Sequence, residues 1–341
     1  MRWLRCLERP SCCVRSVWAL AKREKKVKYR RVIQLVFAAI SNSYLTGFAT
    51  GTLYKGNLKM VCNPGLNCYS CPGAVMSCPI GSLQAVIGSR AFSVSLYVFG
   101  LILMFGALMG RAVCGFLCPF GWVQELLHKI PFPVKRNRFK GDKQLRYLKY
   151  VALLVFVLIL PMTLNNEAGN APPAFCKYIC PAGTLEAGIP HVYFKSAPPP
   201  PAPSSGSGLV KSLNIVPTQS GPKVGALFTW KMALLAAVVL LSVSIYRPFC
   251  KYLCPLGAMY GMLNPWALYR LRLDPSKCVA CGACARACGM CIDPVKTTNH
   301  AECVRCGDCV NVCPTGALSL GVGHLKPEHA PMGSPGKEGT V

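Results

Sequence analysis

The sequence predicts an α-helical integral membrane protein, with four transmembrane helices in two similar halves and a small α+β domain after them. Three observations carry this reading. Charged residues make up 15% of the 341 residues and mean hydropathy is +0.36, where a soluble chain has about 25% charged residues. The 38 Lys and Arg gather in blocks that alternate with apolar runs. The 22 cysteines fall in repeated short motifs, within a chain too long and too apolar for a small secreted disulfide scaffold. The absence of a collagen repeat, heptads or a long polar tract excludes fibrous and wholly disordered classes.

The apolar spans are 32–54, 92–110, 150–164 and 227–246. A bilayer core needs about 20 residues. The second and fourth spans fit; the first is weakened by Ser41, Asn42 and Ser43, and the third is short and meets Pro161. Formal net charge is +26, and its placement reads as topology rather than as a nucleic-acid groove. Eleven basic residues lie in 1–31, eight in 129–149 and ten in 247–341, against three in 54–91 and four in 165–227. The positive-inside rule puts the basic blocks, and so both termini, in the cytoplasm. Segments 55–91 and 165–226 then face outward. The expected layout is a basic cytoplasmic segment 1–31, a membrane domain 32–265, a second domain 266–321 and a disordered tail 322–341. Within the membrane domain, 196–223 is a linker, stiff over Pro198–Pro203 and flexible over the Ser/Gly run that follows. The late first span, with no small-residue cleavage site, argues against a cleavable signal peptide.

The strongest local signal is C-terminal. Cys278, Cys281, Cys284 and Cys288 form C-x2-C-x2-C-x3-C, and Cys303, Cys306, Cys309 and Cys313 repeat it with Pro314 after the last. This is the bacterial two-cluster ferredoxin run, in which the fourth Cys of each set ligates the other cluster. Cys278, Cys281, Cys284 and Cys313 are therefore assigned to one [4Fe–4S] cluster, and Cys303, Cys306, Cys309 and Cys288 to a second. The bland alternative is a pair of zinc sites, since C-x2-C is also a zinc spacing. Cys291 is an extra thiol beside the second set, either a competitor of Cys288 or a spare.

A second motif, C-P-x-G, occurs four times in the membrane domain, at Cys78, Cys118, Cys180 and Cys254. Six residues after each Cys stand Gln84, Gln124, Glu186 and Tyr260. Cys114, Cys176 and Cys250 precede three of the copies by four residues; the first copy has Cys62, Cys68 and Cys71 upstream instead. Pro at the first helical position fixes φ where its missing N–H costs nothing. Gly permits close backbone approach. Each copy thus places a thiol at a helix start, where the dipole favours negative charge. Copies one and three fall on the outer side, two and four on the inner side. If the halves pack about an axis along the membrane normal, Cys114, Cys118, Cys250 and Cys254 meet as an inner set able to hold one cubane. The outer counterpart is Cys71, Cys78, Cys176 and Cys180, with Cys68 as alternate. C-x3-C disulfides, a zinc site and plain buried thiols remain as alternatives, the disulfide most seriously on the oxidising outer side.

The stretches Gly110–Gly121 and Pro248–Gly257, followed by the ferredoxin run, resemble the NapH/MauN group of bacterial membrane ferredoxins, and the C-terminal part of NosR and the CcoG/FixG proteins look similar. The resemblance covers about residues 30–320. It implies a multi-pass protein of a bacterial or archaeal cytoplasmic membrane that passes electrons among cytoplasmic iron–sulfur centres, a quinone and an extracytoplasmic redox partner. It also implies functional importance for Cys114, Cys118, Cys250 and Cys254. The Cys62–Cys78 set and the Cys176/Cys180 pair exceed the family's usual two pairs and point to an outer redox site.

None of the histidines, His128, His191, His300, His324 and His329, sits inside a span, so haem between helices is not expected. All twelve acidic residues lie outside the span cores, which argues against a proton pump. No phosphate loop, dinucleotide fingerprint or Ser/His/Asp set is present, and nucleic acid is not an expected partner. Trp122, Trp230 and Trp266 read as interface anchors. Cys6, Cys12 and Cys13 lack cluster spacing. The leading expectation is a membrane iron–sulfur electron carrier with redox-protein partners; the rivals are an assembly or maturation reductase and a non-catalytic redox sensor.

Overall fold

The structure is a computed structural model that describes residues 29–50, 52–88, 96–133, 135, 137, 139, 141–163, 172–194 and 225–322. The basic segment before residue 29, the Pro/Ser/Gly linker, the C-terminal tail and Cys6, Cys12 and Cys13 lie outside the described residues.

The fold is mostly helical, with a single antiparallel strand pair among the described residues. Helix α1 covers 29–41 and breaks at Asn42 before α2, Thr46–Thr50. The expected first span is thus interrupted where its polar residues stand. The break pairs with the following loop, Tyr44 N–H donating to Gly73 O at 3.1 Å and Val75 N–H to Ser41 O at 3.0 Å. Helix α3 is Pro79–Ile87, α4 Leu96–Met109, α5 Ala112–Phe116 and α6 Pro119–His128.

Two described helices are long and apolar enough to cross a membrane: α7, Asp142–Thr163, with 22 residues, and, later in the chain, α10, Ala226–Ser244, with 19. Helix α4 is apolar but has 14 residues. Helix α7 starts eight residues before the expected Tyr150. Lys143, Arg146 and Lys149 look like loop in sequence, yet Asp142 pairs Arg146 and Glu302 pairs Lys149, so the basic turns continue the helix. Its middle, Leu153–Ile159, is π-helical; Pro161 lacks the N–H that would bond four residues back, and the turn before it widens.

Helix α8 is Ala174–Tyr178 and α9 covers 181–194. Beyond α10 come α11, Pro248–Tyr252, and α12, Pro255–Leu263. The C-terminal unit then opens with β1, Tyr269–Leu273, and closes with β2, Leu318–Val322, antiparallel with Leu271 opposite Leu320. Between them lie the short helices α13, Ala283–Ala287, and α14, Asp308–Val312. The membrane-domain core gathers Leu66, Ile80, Ile102, Phe120, Val157, Phe175, Phe249 and Tyr260 around the cysteines of the C-P-x-G elements.

Candidate iron–sulfur sites and the charges that frame them

In the C-terminal unit one pocket is lined by Cys278, Cys281, Cys284 and Cys313. Another is lined by Cys288, Cys303, Cys306 and Cys309, with Met290 and Ile292. The two binding turns match each other: Ala280 and Arg305 have φ of 49° and 52°, and Gly282 and Gly307 follow at 67° and 83°. Successive left-handed residues of this kind wrap backbone N–H groups around an anionic centre.

The four C-P-x-G copies each begin a helix with Pro at N1: Pro79, Pro119, Pro181 and Pro255. Cys118 Sγ accepts from Gly121 N–H, Cys180 from Gly183 and Cys254 from Gly257, all at 3.4 Å. The motif's glycine has a specific job at the inner copies. A Cβ on Gly121 would lie 3.1 Å from Arg247 Nη1 and 3.2 Å from Cys114 O; one on Gly257 would lie 3.2 Å from Cys250 O and 3.3 Å from Arg111 Nη2.

Those contacts disclose a reciprocal frame. Arg111 Nη2 donates to Cys250 O at 2.9 Å, and Arg247 Nη1 to Cys114 O at 2.5 Å. Each arginine stands three residues before one C-x3-C pair and grips the other pair. Both are fully buried. Glu125 answers Arg247 and Arg30, the latter at 2.9 Å. Seven residues after Cys118 the chain has Glu125, but seven after Cys254 it has Gly261. The missing carboxylate arrives from the C-terminal unit: Glu302 bonds Arg111 and Lys149 together. Burial pushes Glu302 up, but Arg111 and Lys149 outweigh it and hold the carboxyl well below its ordinary range. Arg247 sits at φ 49°, a strained position for a side chain, held by its bonds to Glu125 and Cys114 O.

Cys114, Cys118, Cys250 and Cys254 are all buried within 6% exposure and lie within electrostatic reach of one another. Burial, then the neighbouring Cys250 and Cys114 sulfurs, push Cys118 up to about 12. Cys68 lies within electrostatic reach of Cys78, Cys176 and Cys180. A Cβ on Gly183 would lie 3.5 Å from Cys68 Sγ and 3.8 Å from Cys180 Sγ. Cys71, placed first in the sequence reading, turns instead toward Lys59 and Glu186. Cys62 donates to Ser82 Oγ at 3.5 Å, and Cys291 to Asn137 O at 3.1 Å, beside rather than within the sets.

The residues six after each motif Cys cross between elements. Gln84 Nε2 donates to Cys176 Sγ at 3.5 Å and its Oε1 accepts from Phe175 N–H at 2.9 Å. Gln124 does the same for Cys250 Sγ at 3.3 Å and Phe249 N–H at 3.1 Å. Glu186 accepts from Cys68 N–H at 2.7 Å, and Tyr260 donates to Pro64 O at 2.9 Å. Sequence reading noted these positions without a role; Arg111, Arg247, Glu125 and Glu302 it missed, although the shared spacing of the arginines before each inner pair was a visible signal.

The C-terminal unit sits directly on the inner set. A Cβ on Gly115, next to Cys114, would lie 2.5 Å from Val304 O, between Cys303 and Cys306. Arg305 donates to Met109 O at 2.8 Å, and Asn264 to Cys303 O at 3.1 Å.

The donor sets fit iron–sulfur clusters better than the alternatives. The cysteines of all four sets are free of disulfides. N–H donors and buried guanidiniums aimed at the inner sulfurs and their carbonyls suit an anionic centre.

A 4Fe-4S binding domain family matches residues 91–139, 150–189 and 227–273, and a second 4Fe-4S binding domain matches 297–319. An uncharacterized protein of Methanocaldococcus jannaschii, MJ0749, is 26% identical over 242 residues, 69% of this chain and 74% of that protein. The methylamine utilization ferredoxin-type protein MauN of Paracoccus denitrificans is 23% identical over 290 residues, 84% of this chain and 83% of MauN. The regulatory protein NosR of Pseudomonas aeruginosa is 28% identical over 189 residues, 53% of this chain and 20% of NosR. No solved structure matches the chain. With its 4Fe-4S binding domains on the frame just described, the chain is similar to ferredoxin-type proteins such as MauN and is iron–sulfur, electron-transfer-like in kind.

Proposed function

We propose that the chain is a membrane electron carrier whose four sulfur sets form a line: Cys278/Cys281/Cys284/Cys313, then Cys288/Cys303/Cys306/Cys309, then Cys114/Cys118/Cys250/Cys254, then Cys68/Cys78/Cys176/Cys180. A [4Fe–4S] cluster, when bound, supplies reversible one-electron storage at each set. The observation that carries the reading is the inner set. Cysteines more than 130 residues apart are brought together by arginines that each grip the opposite pair. A merely structural pair of thiols needs no such buried charge; an anionic centre does. The chain's own residues do the rest. Glu302 clamps the C-terminal unit over the inner set, Gly115 lets Val304 touch it, and Gln84 and Gln124 hold two sulfurs and two backbone amides in place. The basic blocks put the C-terminal unit in the cytoplasm and the Cys68 set toward the outside. Redox proteins on the two faces, and a quinone on one of them, are the proposed partners.

The test is Cys118→Ser and Cys254→Ser in protein purified under argon. Each substitution is expected to remove the same paramagnetic signal and leave those of the C-terminal unit intact. Loss of different signals, or of none, would refute a shared inner site. Vesicles then separate carrier from sensor: a carrier reduced at its cytoplasmic face is reoxidised by an acceptor confined to the other side.

A further inference from the structure

The outer loop does not stay at the outer face. Residues 62–68 fold back to the inner set, and 62–67 are buried: Cys62, Asn63, Leu66 and Asn67 are each 4% exposed or less. A Cβ on Gly65 would lie 2.9 Å from Leu117 O and 3.0 Å from Cys118 Cα, so the loop backbone rests directly on the inner motif. Tyr260, six residues after Cys254, holds Pro64 O at 2.9 Å. Glu186, six after Cys180, holds Cys68 N–H at 2.7 Å. One loop is therefore gripped at its start from the inner side and at its end from the outer side. Three residues beyond Gly65 the same loop ends in Cys68, whose Sγ a Cβ on Gly183 would meet at 3.5 Å. Cys118 belongs to the inner set and Cys68 to the outer. Tyr260 lies within electrostatic reach of Cys114, Cys118 and Cys254 and also of Cys78. The segment lies outside the residues matched by the 4Fe-4S binding domains, so it is not part of the shared motif.

We infer that loop 62–68 is a built-in electron bridge, through which one electron passes between the inner and outer sulfur sets by way of the Gly65–Cys68 backbone, with no mobile quinone between them. Consecutive residues advance at most about 3.6 Å along a chain. Three residues lead from Gly65, which rests on Cys118, to Cys68 of the outer set, so the chain between them spans at most about 11 Å, far less than the bilayer core of about 30 Å. The step is a bare electron exchange: one set is oxidised by one electron and the other reduced by one, and no bond or proton is exchanged. The inference rests on the reading that both sets hold clusters, and it adds how they communicate. The glycine at 65 is what permits the contact, since the obstacles to a Cβ there are backbone atoms that cannot swing aside.

The experiment uses the full chain in quinone-free liposomes, with the C-terminal unit outward and dithionite, an impermeant one-electron donor, outside. Iron content is measured on the same sample, and reduction is followed by rapid-freeze paramagnetic resonance. The expected result is reduction of the outer-set signal without added quinone, with mutual broadening of the inner and outer signals. Gly65→Ala should slow reduction of the outer set severalfold while the inner set and C-terminal unit are reduced at the parent rate. Tyr260→Phe, which removes only the hydroxyl that holds Pro64, is the milder second variant and should slow the same step less. An outer signal that stays oxidised until a short-chain quinone is added overturns the bridge while leaving the clusters. Unchanged rates in both variants, at full iron content, overturn it as well. An iron count that covers the C-terminal unit alone removes the underlying reading, and the inference with it.

Discussion

Replacing Glu302 by Gln is the most direct probe of how the C-terminal unit is held on the membrane domain. The side chain keeps its shape and loses its charge. Arg111 and Lys149, both with side chains at 0% exposure, then face each other with no carboxylate between them. Breaking one partner out of a buried ion pair costs about 3–5 kcal/mol, because a charge is left buried and uncompensated. In a chain of this size that is a fall in Tm of about 4–7 °C. The assay is thermal unfolding in detergent, followed by visible absorbance, together with limited proteolysis at the junction between α12 and β1. Adding Lys149→Met to Glu302→Gln should recover part of the loss, since one of the stranded cations is gone. The pH dependence has a definite sign. Burial raises the Glu302 carboxyl, Arg111 and Lys149 outweigh burial, and its folded value is depressed below the ordinary 4.5. Its stabilisation is therefore complete above that ordinary value and is lost as pH falls through the folded one. The parent loosens in acid, and Glu302→Gln is expected to lose that part of the acid response. A Tm shift under about 2 °C, or an unaltered acid response, would refute the clamp.

Other substitutions follow from the same frame. Gly257→Ala puts a methyl 3.2 Å from Cys250 O and 3.3 Å from Arg111 Nη2, and should cost about 1–3 kcal/mol by overpacking; Gly121→Ala, with nearly the same clearances, should cost about as much, and unfolding midpoints check both. Gln84→Leu strands the buried Phe175 N–H and should cost about 1–3 kcal/mol, with Gln124→Leu doing the same at Phe249; thermal melts of the pair should match. Cys281→Ser, on the exposed rim of its cavity, should abolish the signal of that quartet and leave the signal of the Cys303 quartet in place.

The spacing of the ferredoxin cysteines is local, and each turn carries its own left-handed residues at 280, 282, 305 and 307. The C-P-x-G repeat shows where helices start with Pro at N1, at Pro79, Pro119, Pro181 and Pro255. What the sequence did not disclose is how residues meet at long range. Arg111 and Arg247 had no role in the sequence reading until the fold places each on the opposite pair, and Glu302 belongs by sequence to the ferredoxin run while bonding Arg111 and Lys149. The choice between Cys68 and Cys71 depended on a turn in which Cys71 N–H bonds Cys68 O at 3.1 Å, leaving Cys68 to face Cys78, Cys176 and Cys180. The start of α7 was misread because Lys149 finds its counter-charge in Glu302, far along the chain, while Arg146 pairs within the helix with Asp142. The interruption of the first span at Asn42 follows from local polarity, but its purpose, pairing with residues 73–75, appears only in three dimensions.

The count of iron atoms per chain, made on protein purified under argon, tests the central claim most directly. Four cubane-holding sets in one polypeptide predict about 16 irons per chain. About eight, all traceable to the C-terminal unit, would contradict the account and leave the cysteines of the membrane domain without a shared cofactor.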